Sequence, residues 1–350
     1  MNHQFLPSYT IGTDAYDSVY DVCHYFGKTA VLVGGHKSRA AAEGKLRKAL
    51  EGKMEILDSL YYGGDATYEN AEALKQNEAF QKADMVFAMG GGRAIDTAKK
   101  AAGEMGKPYF TFPTLASNCA PVTAVGAYYY PDHSFRQVYY VSRPAFHTFI
   151  DTDVIAHAPK EYLWAGIGDA LSKQYEVEFS SRGDELTYGR SLGVQLAGGC
   201  SAGLLKYGEE ALHAVDEKKV NYALEYVAQN IIFSTGLISN LVPEDYNSSV
   251  AHALYNSHTG VAHEGAHLHG AVVCYGVLVL LTLDGQLEER NKLYEFCKKT
   301  GLPHCLADVG LKDCKELVLN ALPKPDLNKV PYPVTEELLT KAIQDVENLK

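Results

Sequence analysis

The sequence has no CxxC pair, no long basic run, no apolar stretch of membrane-spanning length, no internal repeat and no low-complexity segment. Each absence removes a class of protein. Seven cysteines, at 23, 119, 200, 274, 297, 305 and 314, are odd in number and scattered. That pattern argues against a disulfide framework or a cysteine-based zinc site and fits a reducing cytoplasm, with most thiols acting as buried small hydrophobes. A formal net charge of −11, from 32 Lys and Arg against 43 Asp and Glu, gives no basis for attracting nucleic acid or an anionic membrane. The longest apolar run, AVVCYGVLVLLTL at 271–283, is too short to cross a bilayer and reads as a buried helix. The opening MNHQFLPSYTIG has no basic region followed by an apolar core, so no signal peptide is expected. What remains is a globular chain of 350 residues, 46% hydrophobic and 21% charged, too long for one ordinary core and therefore of two domains.

Short apolar runs alternate with helical segments in the first part. Strands are predicted at 30–33, ending at Gly34 and Gly35, and at 54–57, 85–89, 109–112 and 147–150, with helices at 40–50 and 94–105. Alternation of this kind specifies a parallel, doubly wound sheet. The aromatic stretch 125–140 reads as a hairpin turning at Pro131 and Asp132. Beyond about Thr152 helical periodicity takes over, with helices expected near 160–180, 189–208, 217–240, 248–257, 269–284, 287–299 and 335–348. The expected domains are 1–155, an α/β domain, and 156–350, a helical domain.

Two local features carry chemistry. Gly90, Gly91 and Gly92 follow a buried strand and open a helix, which lets backbone N–H groups approach a diphosphate. GGGRAIDTAKK is neither GxGxxG nor a P-loop, so a tight turn without ligand is the alternative. Asp96 is read either as satisfying the helix end or as organising the loop, and Arg93 as a phosphate contact or a solvated side chain. The second feature is histidine: five of the thirteen, His252, His258, His263, His267 and His269, fall within eighteen residues. Such a cluster points to a bound metal or to a solvated His-rich loop. Asp169, in the apolar segment EYLWAGIGDALSKQYE, is the best carboxylate partner, because an unpaired carboxylate there is costly. Its alternative is a helix N-cap after Gly168.

Taken together, GGGRAIDTAKK at 90–100, PTLASNCAPVTAV at 113–125, AGIGDALSKQYE at 165–176, AHALYNSH at 251–258 and HLHGAVVCYG at 267–276 resemble the iron-containing alcohol dehydrogenase and glycerol dehydrogenase family over nearly the whole chain. The resemblance implies an N-terminal Rossmann-like α/β domain plus an all-α C-terminal helical bundle, the two-domain plan shared with dehydroquinate synthase. It implies one divalent ion, zinc or iron, held by Asp169, His252 and His269, which are thereby the catalytic residues. It also implies NAD(P)(H), with the pyrophosphate at Gly91, Gly92 and Arg93, Asp96 beside the loop, and further contacts from Thr114, Ser117, Thr123, Val125 and Tyr129. Homo-oligomers are common in the family. Some relatives carry a further ligand four residues after the Asp; here that residue is Lys173, which implies three protein ligands.

The chain departs from the family pattern twice. Glycerol dehydrogenases carry a substrate-binding Asp where this chain has Cys119, in ASNCAP, and the change brings it closer to the 2-oxoacid reductase branch. After the first strand, where an Asp often selects NAD, stand Gly35, His36, Lys37, Ser38 and Arg39. This basic, hydroxyl-bearing loop either suits the 2′-phosphate of NADP or is a solvated helix start. The expected activity is hydride transfer interconverting a small alcohol or 2-hydroxy acid and its carbonyl form, the metal polarising the substrate oxygen. His267, Tyr255, His258 and water are candidates for the proton relay. The alternatives are a glycerol (polyol) dehydrogenase, a lyase or cyclase related to dehydroquinate synthase, and a non-catalytic, metal-stabilised nucleotide-binding protein.

Overall fold

The computed structural model describes residues 5–349; the first four residues, where the signal-peptide expectation begins, lie outside them. Packing divides the chain into two units. One runs through Pro159 and takes in Ala214–Asn240; the other comprises Lys160–His213 and everything from Leu241. The segment 214–240, assigned from sequence to the helical half, thus packs with the first unit. Side chains explain why. The Tyr9 hydroxyl donates to Gln229 Oε1 at 2.8 Å, and the Asn240 amide donates to Val122 O at 2.9 Å while accepting from Ala124 N at 3.1 Å. Helical periodicity reports which face of a helix is buried, not what covers it.

Within the first unit, β1 (Tyr9–Gly12), β2 (Thr29–Gly34), β3 (Glu55–Tyr61), β4 (Met85–Gly90), β5 (Tyr109–Pro113) and β8 (Thr148–Asp151) form a parallel sheet in the order β1-β8-β5-β4-β2-β3. Every residue of β4 and β5 is buried, as a sheet covered on both faces requires. Alternate residues feed two cores. Leu32, Phe87, Phe110 and Phe112 point to one face, and Val31, Val33, Val86 and Ala88 to the other. β6 (Val125–Tyr129) and β7 (Phe135–Tyr140) make the expected antiparallel hairpin. Strand β1 escaped the sequence reading because its four residues are only partly buried and form no apolar run. Helices α1 (His36–Leu50) and α2 (Gly92–Glu104) follow β2 and β4.

The second unit is helical, with α3 (Lys160–Ser180), α4 (Val250–His258) and α5 (His269–Leu283) at its centre. Residues 270–281 of α5 are all buried, so the longest apolar run is a central helix, hydrophobic all round. Among the described residues no helix is long and apolar enough to cross a membrane. The helix expected over 189–208 breaks at Gly198 and Gly199 into Tyr188–Ala197 and Cys200–Asp216.

Candidate active site

Asp169, His252 and His269 come from three helices of the second unit, and one ligand atom from each lies within 4.8 Å of the others. Asp169 sits inside α3, which disposes of the N-cap alternative. His252 lies in the first turn of α4, and His269 is the first residue of α5. The close approach depends on glycine. A Cβ on Gly270 would stand 1.9 Å from the Ala165 carbonyl oxygen and 2.9 Å from Asp169 Cβ, and one on Gly168 would stand 2.4 Å from Gly270 O. With those side chains missing, α5 lies against α3 and His269 Nε2 reaches Asp169 Oδ1 at 3.0 Å.

Glu176 completes the group. Two helical turns beyond Asp169 on the same face of α3, it is fully buried and accepts from Ser249 N at 2.7 Å, His252 N at 3.0 Å and His252 Nδ1 at 2.5 Å. This bond fixes the ring, so Nε2 is the nitrogen turned towards Asp169, 3.8 Å from Oδ1. A carboxylate behind a ligating imidazole sets its tautomer and raises its basicity. The sequence reading passed over Glu176, although its seven-residue spacing from Asp169 was a usable signal. Lys173 does not join the ligands; its ammonium donates to Asn247 Oδ1 at 2.8 Å.

The local field favours a cation. Burial opposes charge on His252, but Glu176 and then Asp169 overcome it and lift the imidazole to about 9. Burial likewise pushes the Asp169 carboxyl up, while His269 and His252 hold it below the ordinary range. One carboxylate oxygen and two imidazole nitrogens, with His269 half-exposed, suit a zinc- or iron-sized ion with a position left for substrate. Tyr255 packs edge-on against the His269 ring at 4.1 Å.

The first unit builds the glycine loop as expected. Gly34 pairs beside Met89 and Gly90 beside Pro113, so Gly35, Gly91, Gly92 and Thr114 leave the sheet along one edge. β2 has β3 on one side and β4 on the other. At such a switch point, outside the carboxyl ends of the strands, open α/β sheets bind nucleotides. A Cβ on Gly92 would meet Asn118 Nδ2 at 2.8 Å, so that side chain would have to shift. Asn118, missed in the sequence, thus lines the loop. The Arg93 guanidinium lies over the Tyr129 ring at 5.1 Å and pairs with the buried Asp65 at 3.3 Å, so these two expected contacts are neighbours. Thr123 and Val125 share a buried partner, Lys99, whose ammonium lies 3.5 Å from Thr123 Oγ1 and 2.5 Å from Val125 O. Ser117 lies 3.4 Å from the Asn118 amide, and Cys119 heads a short turn beside Gly236.

Two local readings change. Asp96 is buried, bonded to Lys99 at 2.9 Å and to Ala127 N at 3.1 Å, so its carboxylate holds the hairpin on α2; burial raises its pKa despite the neighbouring lysine. The Ser38 hydroxyl, read as part of a phosphate-accepting loop, instead lies 3.0 Å from Gly35 N and 3.2 Å from Met89 O. Lys37 stays exposed, His36 stacks on Tyr61 at 4.4 Å, and Arg39 bonds Ser59 O.

The chain is similar to known proteins along most of its length. Residues 10–159 match the family described as iron-containing alcohol dehydrogenase. Glycerol dehydrogenase of Thermotoga maritima is 33% identical over 79% of this chain and 78% of its own length. Hydroxycarboxylate dehydrogenase A of Escherichia coli K12 is 28% identical over 92% of this chain and 90% of its own. The crystal structure of glycerol dehydrogenase from Schizosaccharomyces pombe superposes with a TM-score of 0.86 at 26% identity, covering 99% of this chain and 91% of that one.

Proposed function

The chain belongs to the iron-containing alcohol dehydrogenase family, and we propose that within it the protein is a zinc-dependent reductase of small 2-oxo acids, working in reverse on 2-hydroxy acids. Metal-dependent, nicotinamide-linked interconversion of alcohol and carbonyl is the family's chemistry. The substrate class rests on one observation: Cys119, a neutral side chain, stands in ASNCAP where glycerol dehydrogenases carry an Asp. Without that carboxylate, an anionic substrate meets no repulsion and a polyol loses a hydroxyl acceptor. The 28% identity to a hydroxycarboxylate dehydrogenase supports the reading. Polyol oxidation is the second reading, favoured by the 33% identity to a glycerol dehydrogenase.

Asp169, His252 and His269 hold the ion, which when bound acts as a Lewis acid on the substrate oxygen. Glu176 accepts a hydrogen bond from His252 Nδ1 and so aims Nε2 at the ion. Gly168 and Gly270 let His269 approach. In the other unit, Gly91 and Gly92 expose backbone donors for the pyrophosphate, Arg93 adds a cation, and Thr114, Ser117, Thr123, Val125 and Tyr129 shape the remainder of the dinucleotide site. Asp96 and Lys99 act from behind by seating the hairpin. His36, Lys37 and Arg39 at the start of α1 favour NADP(H), since no acid there repels a 2′-phosphate. Zinc suits two imidazoles and a carboxylate, and seven free thiols suit a reducing cytoplasm.

The test is steady-state turnover of zinc-loaded protein with 2-oxobutyrate and with glycerol, using both coenzymes and following reduced nicotinamide by absorbance. A higher kcat/KM for 2-oxobutyrate, with NADPH, is expected. Better turnover of glycerol than of any 2-oxo acid rejects the substrate assignment.

A further inference from the structure

We propose that His258, His263 and His267 form a second divalent-metal site, for zinc, distinct from Asp169, His252 and His269, and that it fastens the segment leading into His269. One nitrogen from each of the three rings lies within 4.8 Å of the other two. Their hydrogen bonds define the tautomers. His258 Nε2 is 2.7 Å from Val309 O, His263 Nδ1 is 3.2 Å from Gly265 O, and His267 Nε2 is 2.8 Å from Glu264 O. A carbonyl oxygen only accepts, so each contact is an N–H donation, which in a neutral imidazole leaves the lone pair on the other nitrogen for a metal. Imidazoles anchored through one nitrogen by a backbone carbonyl are the arrangement metal-ligating histidines adopt.

The foundation of the site is anchored by burial and backbone hydrogen bonds. His258 is the buried last residue of α4, and its acceptor Val309 ends the short turn Leu306–Val309. The next residue, Gly310, has φ +73° and accepts from Glu264 N at 2.9 Å. A Cβ there would lie 2.1 Å from Glu264 O and 2.9 Å from His267 Nε2. The loop carrying His263 and His267 is therefore seated on the same turn that orients His258. Tetrahedral zinc, with Zn–N near 2.0–2.1 Å, needs ligand nitrogens about 3.3 Å apart. Any closing of the three nitrogens falls to His263, which is exposed on the loop. Three nitrogen donors without a thiolate select a borderline first-row ion and leave a fourth position for water. Leu268 and His269 follow directly, so a metal here restricts the approach of His269 to Asp169. The inference does not depend on the substrate proposed above.

The experiment counts metal. The full-length protein, its His263→Ala/His267→Ala double variant and its Asp169→Asn variant are dialysed against zinc and analysed by inductively coupled plasma mass spectrometry, with circular dichroism checking the fold. Wild type should hold two equivalents per chain and the double variant one. Asp169→Asn should keep the equivalent that the double variant loses. One equivalent in wild type, two retained by the double variant, or none retained by Asp169→Asn overturns the proposal.

Discussion

Replacing Gly270 with alanine tests whether helix proximity builds the metal centre. The added Cβ would lie 1.9 Å from Ala165 O, 2.8 Å from Ala165 C and 2.9 Å from Asp169 Cβ, whereas carbon and oxygen settle at about 3.3 Å or more. The obstacle is backbone in mid-helix, so no rotamer change relieves it, and α5 must retreat from α3 by roughly 1.4 Å. Overpacking of this kind costs about 1–3 kcal/mol, which at roughly 2–4 °C per kcal/mol lowers Tm by several degrees. The effect on the site is larger. His269 Nε2 starts 3.0 Å from Asp169 Oδ1, and ligand positions tolerate only about 0.2 Å. A displacement near 1 Å costs about 10²-fold in rate, so kcat and zinc affinity should fall together while the helical circular dichroism persists. Gly44→Ala is the control: it lies within α1 with nothing within 4 Å of its added Cβ and should gain about 0.5–1 kcal/mol. Wild-type zinc affinity and kcat in Gly270→Ala would refute the idea that this contact sets the site.

Three further outcomes are expected. Glu176→Gln places an amide N–H against His252 Nδ1, flips the tautomer and moves the proton to Nε2; zinc affinity should drop about 10–100-fold with the fold retained, and an unchanged titration would remove Glu176 from the site. Cys119→Asp returns a negative charge, so kcat/KM for a 2-oxo acid should fall roughly fivefold or more while that for glycerol rises, like charges costing about 1 kcal/mol or more even near water; equal effects on both substrates would count against Cys119 as the selector. His147 bonds Ser8 Oγ at 2.8 Å and Thr10 Oγ1 at 2.9 Å, and burial lowers its imidazole to about 4. The unfolded chain, with a pKa of about 6.5, therefore binds the proton first as pH falls. This contribution is intact above about 6.5 and lost by about 4, amounting to about 1–2 kcal/mol after discounting for partial exposure. Urea unfolding of His147→Gln should show a flatter pH dependence over that window, and an unaltered slope would exclude the residue.

What the sequence determined by itself was local. Fully apolar runs such as MVFAMG declare strands covered on both faces, and a glycine run at the end of such a strand declares a turn into a helix, because burial and backbone sterics act over a few neighbouring residues. Asp169 and the histidine cluster stood out because a carboxylate in an apolar helix and clustered imidazoles need partners wherever the chain goes, while the resemblance picked His252 and His269 from the cluster. Only the tertiary structure decided which groups met. Glu176 reached His252 across 76 positions, Ser38 turned inward to Met89 across 51, and His258 found Val309 across 51. Segment 214–240 joined the sheet-bearing unit. Such meetings depend on how closely helices approach, a distance set at Gly168 and Gly270 by the absence of a single carbon, and no periodicity along the chain records it.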